Sequence, residues 1–207
     1  MVKTKLAVFV SGGGTNLQAM IDAQKAGILS SGEIVLVLSS APGVYALKRA
    51  EEAQIPSVVV SRKAYESQAS FEDAVKGHLK AYGVELIVLA GFMTILSADF
   101  TRAYEKRIIN VHPSLIPSFC GKGFYGLRVH EAALRYGVKI TGATVHYVNE
   151  VPDGGQILLQ KAVPVEEGDT PEQLQRRVME QAEWILLPQA AELVSRRLLT
   201  EREGEGE

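Results

Sequence analysis

The sequence predicts an α/β fold: a single doubly wound, mainly parallel sheet flanked by helices, with an antiparallel C-terminal hairpin and a long C-terminal helix. Three observations carry this expectation. Short runs rich in Val, Ile and Leu alternate with helical patterns as far as His112, as buried parallel strands do when helices cover both sheet faces. A glycine triplet, Gly12-Gly13-Gly14, separates the first strand from the first helix. After His112 a Pro-, Gly- and Ser-rich stretch, 113–127, reads as a long loop, and it leads to two apolar runs with no helical pattern between them. Such a pair reads as a hairpin.

In chain order, Leu6–Val10 is a strand and Leu17–Lys25 a helix. Ile34–Leu38 is the second strand, followed by a turn at Ala41-Pro42-Gly43 and a helix over Tyr45–Ala53. Ser57–Val60 is the third strand, then a helix over Ser70–Tyr82 leads to Leu86–Ala90. A short helix over Ala98–Tyr104 leads to the strand Ile108–His112. Lys139–Val148 and Ile157–Val163 form the hairpin, joined by Asn149–Gln156. Asp169-Thr170-Pro171-Glu172 offers an N-cap, then Pro and Glu in a first helical turn. Leu174, Val178, Ile185 and Leu186 mark the buried face of that helix, and Pro188 is expected to kink or interrupt it. The acidic, Gly-containing tail 201–207 is expected to be disordered. Residues 1–200 make one domain, with a phosphate-binding Rossmann-like half over 1–112 and a second half over 113–200.

Bulk composition narrows the function classes. The chain has 207 residues, 46% of them hydrophobic and 22% charged, with a net charge of −2. That is the profile of a soluble globular protein. It lacks the basic excess of nucleic-acid binders and of proteins that dock on anionic membranes. One cysteine, Cys120, allows no intramolecular disulfide and suits a reducing compartment. Leu6–Val10 is too short for a signal core or a membrane span. The expectation is a cytoplasmic protein whose partners are small molecules, monomeric or homodimeric, without a metal.

The glycine triplet sits where a doubly wound sheet binds ligands. Backbone amides at a helix N-terminus hold anions, and glycine lets the anion approach closely. A Walker loop needs Lys-Ser/Thr after its last glycine, and here Thr15-Asn16 follows. A dinucleotide loop needs a further glycine where Leu17 stands, and an acid after the second strand, which ends in Ser39-Ser40. A single phosphate monoester fits better, with Thr15 and Asn16 adding donors. The plain alternative is a tight turn without a ligand.

Asn110 and His112 are two apart at the end of a strand, so both face one side while Val111 faces the other. An amide donates to an oxygen gaining negative charge, and an imidazole holds or delivers a proton near neutral pH. Together they suit attack on a carbonyl. Asp153, in the turn-rich Asn149–Gly155, is the acid that can orient His112 and favour its charged form. Read alone, each has a structural alternative: His112 a buried structural histidine, Asp153 a turn residue before Gly154.

Asn110-Val111-His112-Pro113-Ser114-Leu115-Ile116-Pro117 resembles the signature of the folate-dependent formyltransferases. The branch it most resembles is the one acting on 5-phosphoribosylglycinamide. The resemblance extends over nearly the whole chain, through Ser11–Leu17, Leu89–Leu96, Gly142–Val148 and Asp153-Gly154-Gly155. It implies formyl transfer from 10-formyltetrahydrofolate to the substrate amine, in purine synthesis. By position it implies that Gly14, Thr15 and Asn16 hold the phosphate and that Asn110, His112 and Asp153 are catalytic. Met93, Thr94, Ile95 and Leu96, with Asn149, Glu150, Val151 and Pro152, would line the folate pocket, which makes 113–200 the folate-loop half. Ribose hydroxyls would meet Glu183, with Glu180 the alternative.

This chain departs from the family pattern in four places. The last helix carries one extra residue, and Trp184 follows the ribose acid where relatives often have His. Pro152 replaces a larger aliphatic, and Gln68 falls where some relatives turn a basic residue toward the folate tail. Alternation with Thr144 and Val148 lets His146 face the folate cleft, where its expected role is structural or in support of the catalytic residues; His130 is expected to lie on a helix surface, and Cys120 not to be a nucleophile. Gly121–Gly126 is expected to form a flexible rim. Hydrolysis of the same donor and a non-catalytic phosphate-binding module remain the competing readings. Relatives that hydrolyse the donor usually carry an extra N-terminal domain and His-His-Ser where this chain has His112-Pro113-Ser114.

Overall fold

The structure, a computed structural model, describes residues 2–204. Its strands are β1 (Thr4–Val10), β2 (Gly32–Ser39), β3 (Ser57–Val59), β4 (Leu86–Leu89), β5 (Ile108–His112), β6 (Ile140–Tyr147) and β7 (Ile157–Pro164). They form one sheet in the order β3-β2-β1-β4-β5-β6-β7. The first five pair in parallel, whereas β6 runs antiparallel to both β5 and β7. The expected hairpin is therefore present, and it also continues the parallel sheet edge to edge.

The helices are α1 (Thr15–Lys25), α2 (Tyr45–Glu52), α3 (Gln68–Ala81), α4 (Ala98–Ala103), α5 (Leu127–Tyr136), α6 (Pro171–Val178) and α7 (Trp184–Gly204). Alternation along the strands divides the core in two. Leu6, Val8 and Val10 of β1 pack with Leu17, Met20 and Ile21 of α1 and with Leu187 and Val194 of α7. Ala7 and Phe9 face the other layer, with Phe71, Val75 and Leu79 of α3 and Phe100 of α4. Strand order reverses beside β1, so the loops after β1 and β4 open a crevice at their carboxyl ends.

Three expectations need correction. The loop after β5 stops at Gly126, because Val129, His130, Ala132 and Ala133 give α5 an inward face. His130 is therefore fully buried rather than on the helix surface. The last helical segment starts as expected, with Thr170 accepting from the Gln173 amide as the N-cap before Pro171 and Glu172, while Asp169 binds Arg177 through both carboxylate oxygens. Between α6 and α7, Met179–Glu183 forms a π-helical turn. Such a turn is wider than an α turn and shifts the register after it. Leu186 and Leu187 point inward in consequence, and Ile185 is 38% exposed.

Pro188 lies inside α7 without interrupting it. The helix runs through Gly204, so the first four residues of the tail expected to be disordered are helical, and 205–207 lie outside the described residues. No helix among the described residues is long and apolar enough to cross a membrane.

Candidate active site

Register between β5 and β6 builds the centre of the site. Asn110 lies opposite His146 and His112 opposite Thr144, so all four side chains share one face of the sheet. Asn110 Nδ2 lies 3.2 Å from His146 Nε2. The His146 Nδ1 lies 2.8 Å from the Tyr147 carbonyl, which can only accept, so the proton sits on Nδ1. Nε2 faces both the Asn110 amide and Asp153 Oδ1, the latter 3.6 Å away.

Asp153 stands between the two rings, with Oδ2 3.5 Å from His112 Nδ1 and Oδ1 3.6 Å from His146 Nε2. Oδ2 also accepts from the Gly121 amide at 2.8 Å. Asp153 has φ +56°, the left-handed region that Asp tolerates better than most residues. A Cβ at Gly155 would come within 1.7 Å of the Tyr147 carbonyl oxygen, so only glycine lets this loop fold back onto β6.

His112 is buried, 4% exposed, and its Nε2 lies 2.9 Å from the Phe119 carbonyl. That carbonyl can only accept, so Nε2 carries a proton, and Nδ1 faces Asp153. Burial pushes the imidazole below its ordinary pKa. Asp153 and the Phe119 carbonyl oppose this without restoring it, and His146 adds to the lowering. Asp153 was expected to keep His112 charged; desolvation outweighs it, because charging a ring excluded from water costs more than one carboxylate at 3.5 Å returns. Burial would raise the Asp153 pKa, but the two histidines and the Gly121 amide bring it below the usual range, so it stays ionised.

A cavity of about 140 Å³ lies in front of this cluster. Thr94, Ile95 and Leu96 line one side, Asn149–Asp153 another, and Asn110 and His146 the floor. His112 sits behind Asp153 and is not part of the wall. His146 lines the wall and so faces the cleft. The alternation of Thr144, His146 and Val148 was the sequence signal for it.

Met93 is 56% exposed and outside this lining. Its amide donates to Ser11 Oγ at 2.9 Å, which ties the β4 loop to the β1 loop. Gln68 is also outside the lining. Its Nε2 donates to Glu72 Oε1 at 2.6 Å and to the Ile95 carbonyl at 3.1 Å, bracing the cavity wall from outside. Glu72 continues that brace to the Ser97 amide at 2.7 Å.

The glycine loop forms the other end of the crevice. Gly14 has φ +71°, and a Cβ there would meet Ala46 Cβ at 2.7 Å, so glycine is required by both backbone and space. Gly12 and Gly13 have nothing within 4 Å of an added Cβ, which leaves that face of the loop open. The π turn closes over the start of α1. Met179 Sδ lies 3.9 Å from Thr15 Oγ1, and Glu183 Oε2 accepts from Asn16 Nδ2 at 2.7 Å.

Glu183 is 7% exposed, and burial raises its pKa against the opposing Asn16 bond. Asn16 Oδ1 is buried with no partner. Glu180 instead binds Arg176 on the surface at 2.9 Å. Of the two acids, Glu183 meets the glycine loop and Glu180 does not.

Cys120 Sγ donates to the Pro117 carbonyl at 3.3 Å. Burial, and next Asp153, raise its thiol pKa, which disfavours the nucleophilic thiolate. Among the described residues no group of three or more His, Cys, Asp or Glu is arranged to hold a metal ion.

Comparison with known proteins agrees with this geometry. The family model described as "Formyl transferase" matches residues 4–190. The chain is 48% identical over 193 residues to the trifunctional purine biosynthetic protein adenosine-3 of Gallus gallus, covering 93% of this chain and 18% of that protein. It thus spans 14–18% of the length of the trifunctional relatives it matches. It is 42% identical to the phosphoribosylglycinamide formyltransferase of Haemophilus influenzae, over 86% of this chain and 81% of that one. The solved glycinamide ribonucleotide transformylase 1 of Symbiobacterium toebii superposes with a TM-score of 0.87 at 40% identity, covering 94% of this chain and 88% of that one.

Proposed function

This chain belongs to the formyl transferase family, and we propose that it transfers the formyl group of 10-formyltetrahydrofolate to the amine of 5-phosphoribosylglycinamide in de novo purine (IMP) biosynthesis. The products are the N-formyl compound and tetrahydrofolate. The observation that carries this reading is the convergence of Asn110 and Asp153 on one cavity wall, joined through the Met93–Ser11 hydrogen bond to an open glycine loop. A carbonyl-directed site and a phosphate-sized anion site then share one crevice.

The donor enters between Thr94–Leu96 and Asn149–Pro152, where backbone groups meet the pterin. The phosphate rests on Gly14, Thr15 and Asn16, and Glu183 takes the ribose hydroxyls. Holding both reactants in line supplies much of the rate. The amine lone pair attacks the formyl carbon, and the carbonyl electrons move to oxygen. Asn110 donates an amide hydrogen to that oxygen. His112 keeps its Nε2–H on the Phe119 carbonyl and acts on that oxygen through the charge it gains in the next step. The proton leaving the amine goes to the lone pair at Nδ1, between His112 and Asp153. The imidazolium so formed lies against the carboxylate and the oxyanion, which together offset its desolvation. Collapse breaks the bond from carbon to N10, and the proton passes to N10. Gln68, outside the cavity, acts by holding Ile95.

Residues 1–112 make the phosphate-binding half and 113–200 the folate-loop half of a cytoplasmic enzyme, with Thr94–Leu96 and Glu183 each serving the end opposite to their own half. The test is donor turnover with and without the amine. Tetrahydrofolate release that requires phosphoribosylglycinamide supports transfer; the same rate without it would instead mean hydrolysis.

A further inference from the structure

Across the last three strands, one row of side chains runs from the centre of the site to the edge of the sheet. His112 lies opposite Thr144, and Thr144 lies opposite Gln160 of β7. Paired positions share a sheet face, so all three point to the same side. Thr144 is fully buried. Gln160 is exposed and outside the cavity lining. The transfer chemistry gives Gln160 no task, and yet both hydrogens of its amide are taken.

The outer two residues of the row hold the segment that follows β5. Thr144 Oγ1 donates to the Ser114 carbonyl at 2.7 Å and accepts from the Ile116 amide at 3.1 Å. It also accepts from Gln160 Nε2 at 2.9 Å. The same Nε2 donates to the Ile116 carbonyl at 3.0 Å. A hydroxyl has one hydrogen and two lone pairs, so Thr144 is saturated only with Gln160 in place. Ile116 is held through both of its backbone groups.

That pinned segment leads directly to the groups that hold the catalytic pair. The Ser118 amide bonds to the Leu115 carbonyl at 2.9 Å, and Ser114 Oγ donates to the Ser118 carbonyl. Phe119 then has φ +48°, a left-handed conformation that is unfavourable for a bulky residue. Its ring meets Phe124 and Tyr136 edge-on, with centroids 6.3 and 5.9 Å away. The turn aims the Phe119 carbonyl at His112 Nε2 and, two residues on, the Gly121 amide at Asp153. A strained residue persists only where its surroundings hold it. A left-handed residue costs about as much as one or two hydrogen bonds return, so the two bonds from Gln160 are enough to decide whether the turn holds.

We infer that Gln160 is a positioning residue for His112. From the edge strand it pins Thr144 and Ile116, and through them the turn whose Phe119 carbonyl holds the imidazole proton on Nε2. It touches neither substrate nor the reacting atoms. The inference rests on the formyl-transfer reading for its effect on turnover, but the state of His112 can be followed without turnover.

The experiment starts from Gln160→Met, which keeps the length of the side chain and removes both donors. It lowers kcat by about tenfold, the cost of one or two hydrogen bonds, while KM for either substrate stays within about twofold. Tm stays near wild type, because the side chain is exposed. Gln160→Glu sets an acceptor against two acceptors and acts in the same direction. Nitrogen NMR of isotope-labelled histidine, recorded with the ring neutral, supplies the second arm. In the wild type the His112 proton is fixed on Nε2; in Gln160→Met it is shared between the two ring nitrogens and exchanges faster with water. A kcat near wild type overturns the inference. So does a fall in kcat with the His112 signal unchanged, or a loss of activity that only follows a loss of Tm. A wild type that transfers no formyl group, while its fixed Nε2 proton is lost in Gln160→Met, would strike the formyl-transfer reading alone.

Discussion

The two ends of the crevice are built in opposite ways. The phosphate end comes from one strand-to-helix turn, Gly12 to Asn16, and its backbone amides come with the turn itself. Met179 and Glu183, from the π turn, arrive from far along the chain. The donor end is assembled from five separate segments: β5, β6, the loop after β4, the β6–β7 loop, and the loop carrying Phe119 and Gly121. Its central carboxylate joins groups distant in sequence, such as Gly121, 32 residues away. A site made by local geometry tolerates changes at a distance; a site made by long-range packing concentrates its dependence in the few groups that several segments share. Asp153 is such a group.

The sharpest way to break this contrast is Asp153→Asn. Turnover is expected to fall by about 10²-fold to 10⁴-fold, the range for a group that handles a transferring proton, while far-UV circular dichroism and Tm stay near wild type. The remaining activity should show a shifted pH profile. Asp153 raises the His112 pKa, so its removal lowers that pKa further, and the acid limb of kcat/KM moves to lower pH. A variant with near-normal turnover refutes the role.

An intermediate effect is expected away from both ends, at His130. Burial, with a smaller contribution from His112, drops its pKa to about 4, and neither ring nitrogen has a partner. A pKa lowered on folding gives stability that is present above the unfolded value near 6.5 and is lost as pH falls toward 4. Urea unfolding at pH 7 and pH 4.5 should therefore show His130→Leu losing less stability on acidification than wild type, by on the order of 2 kcal/mol. Equal losses would mean that His130 does not titrate in this window.

The smallest effect separates the two candidate acids. Glu183→Gln should raise KM for phosphoribosylglycinamide by about tenfold and leave KM for the donor alone, the cost of one weakened polar contact. Glu180→Gln, which removes only a surface pair with Arg176, should change neither constant. Equal shifts from both would dissolve the distinction between them.

What could be read from the sequence follows the same division. The glycine loop, the Asn110–His112 pair and the parallel strands were legible because each is local: a strand end, a turn, an alternation. His146 was undervalued, because its closeness to Asn110 follows from pairing across β5 and β6, which spacing within one strand does not reveal. His130 was put on the wrong side of α5, because a polar residue next to Glu131 looks exposed until the packing partners are known. Ile185 was misplaced because the π turn shifts the helical phase between Val178 and Trp184. The resting charge of His112 was misjudged because burial, unlike a nearby carboxylate, leaves no mark in sequence order.

The claim that both ends serve a single transfer has one most direct measurement: a single turnover with label in the formyl group of 10-formyltetrahydrofolate and the amine present. The account predicts that the label appears on the glycinamide nitrogen, one equivalent for each tetrahydrofolate formed. Label recovered as free formate, at a rate indifferent to the amine, would contradict it.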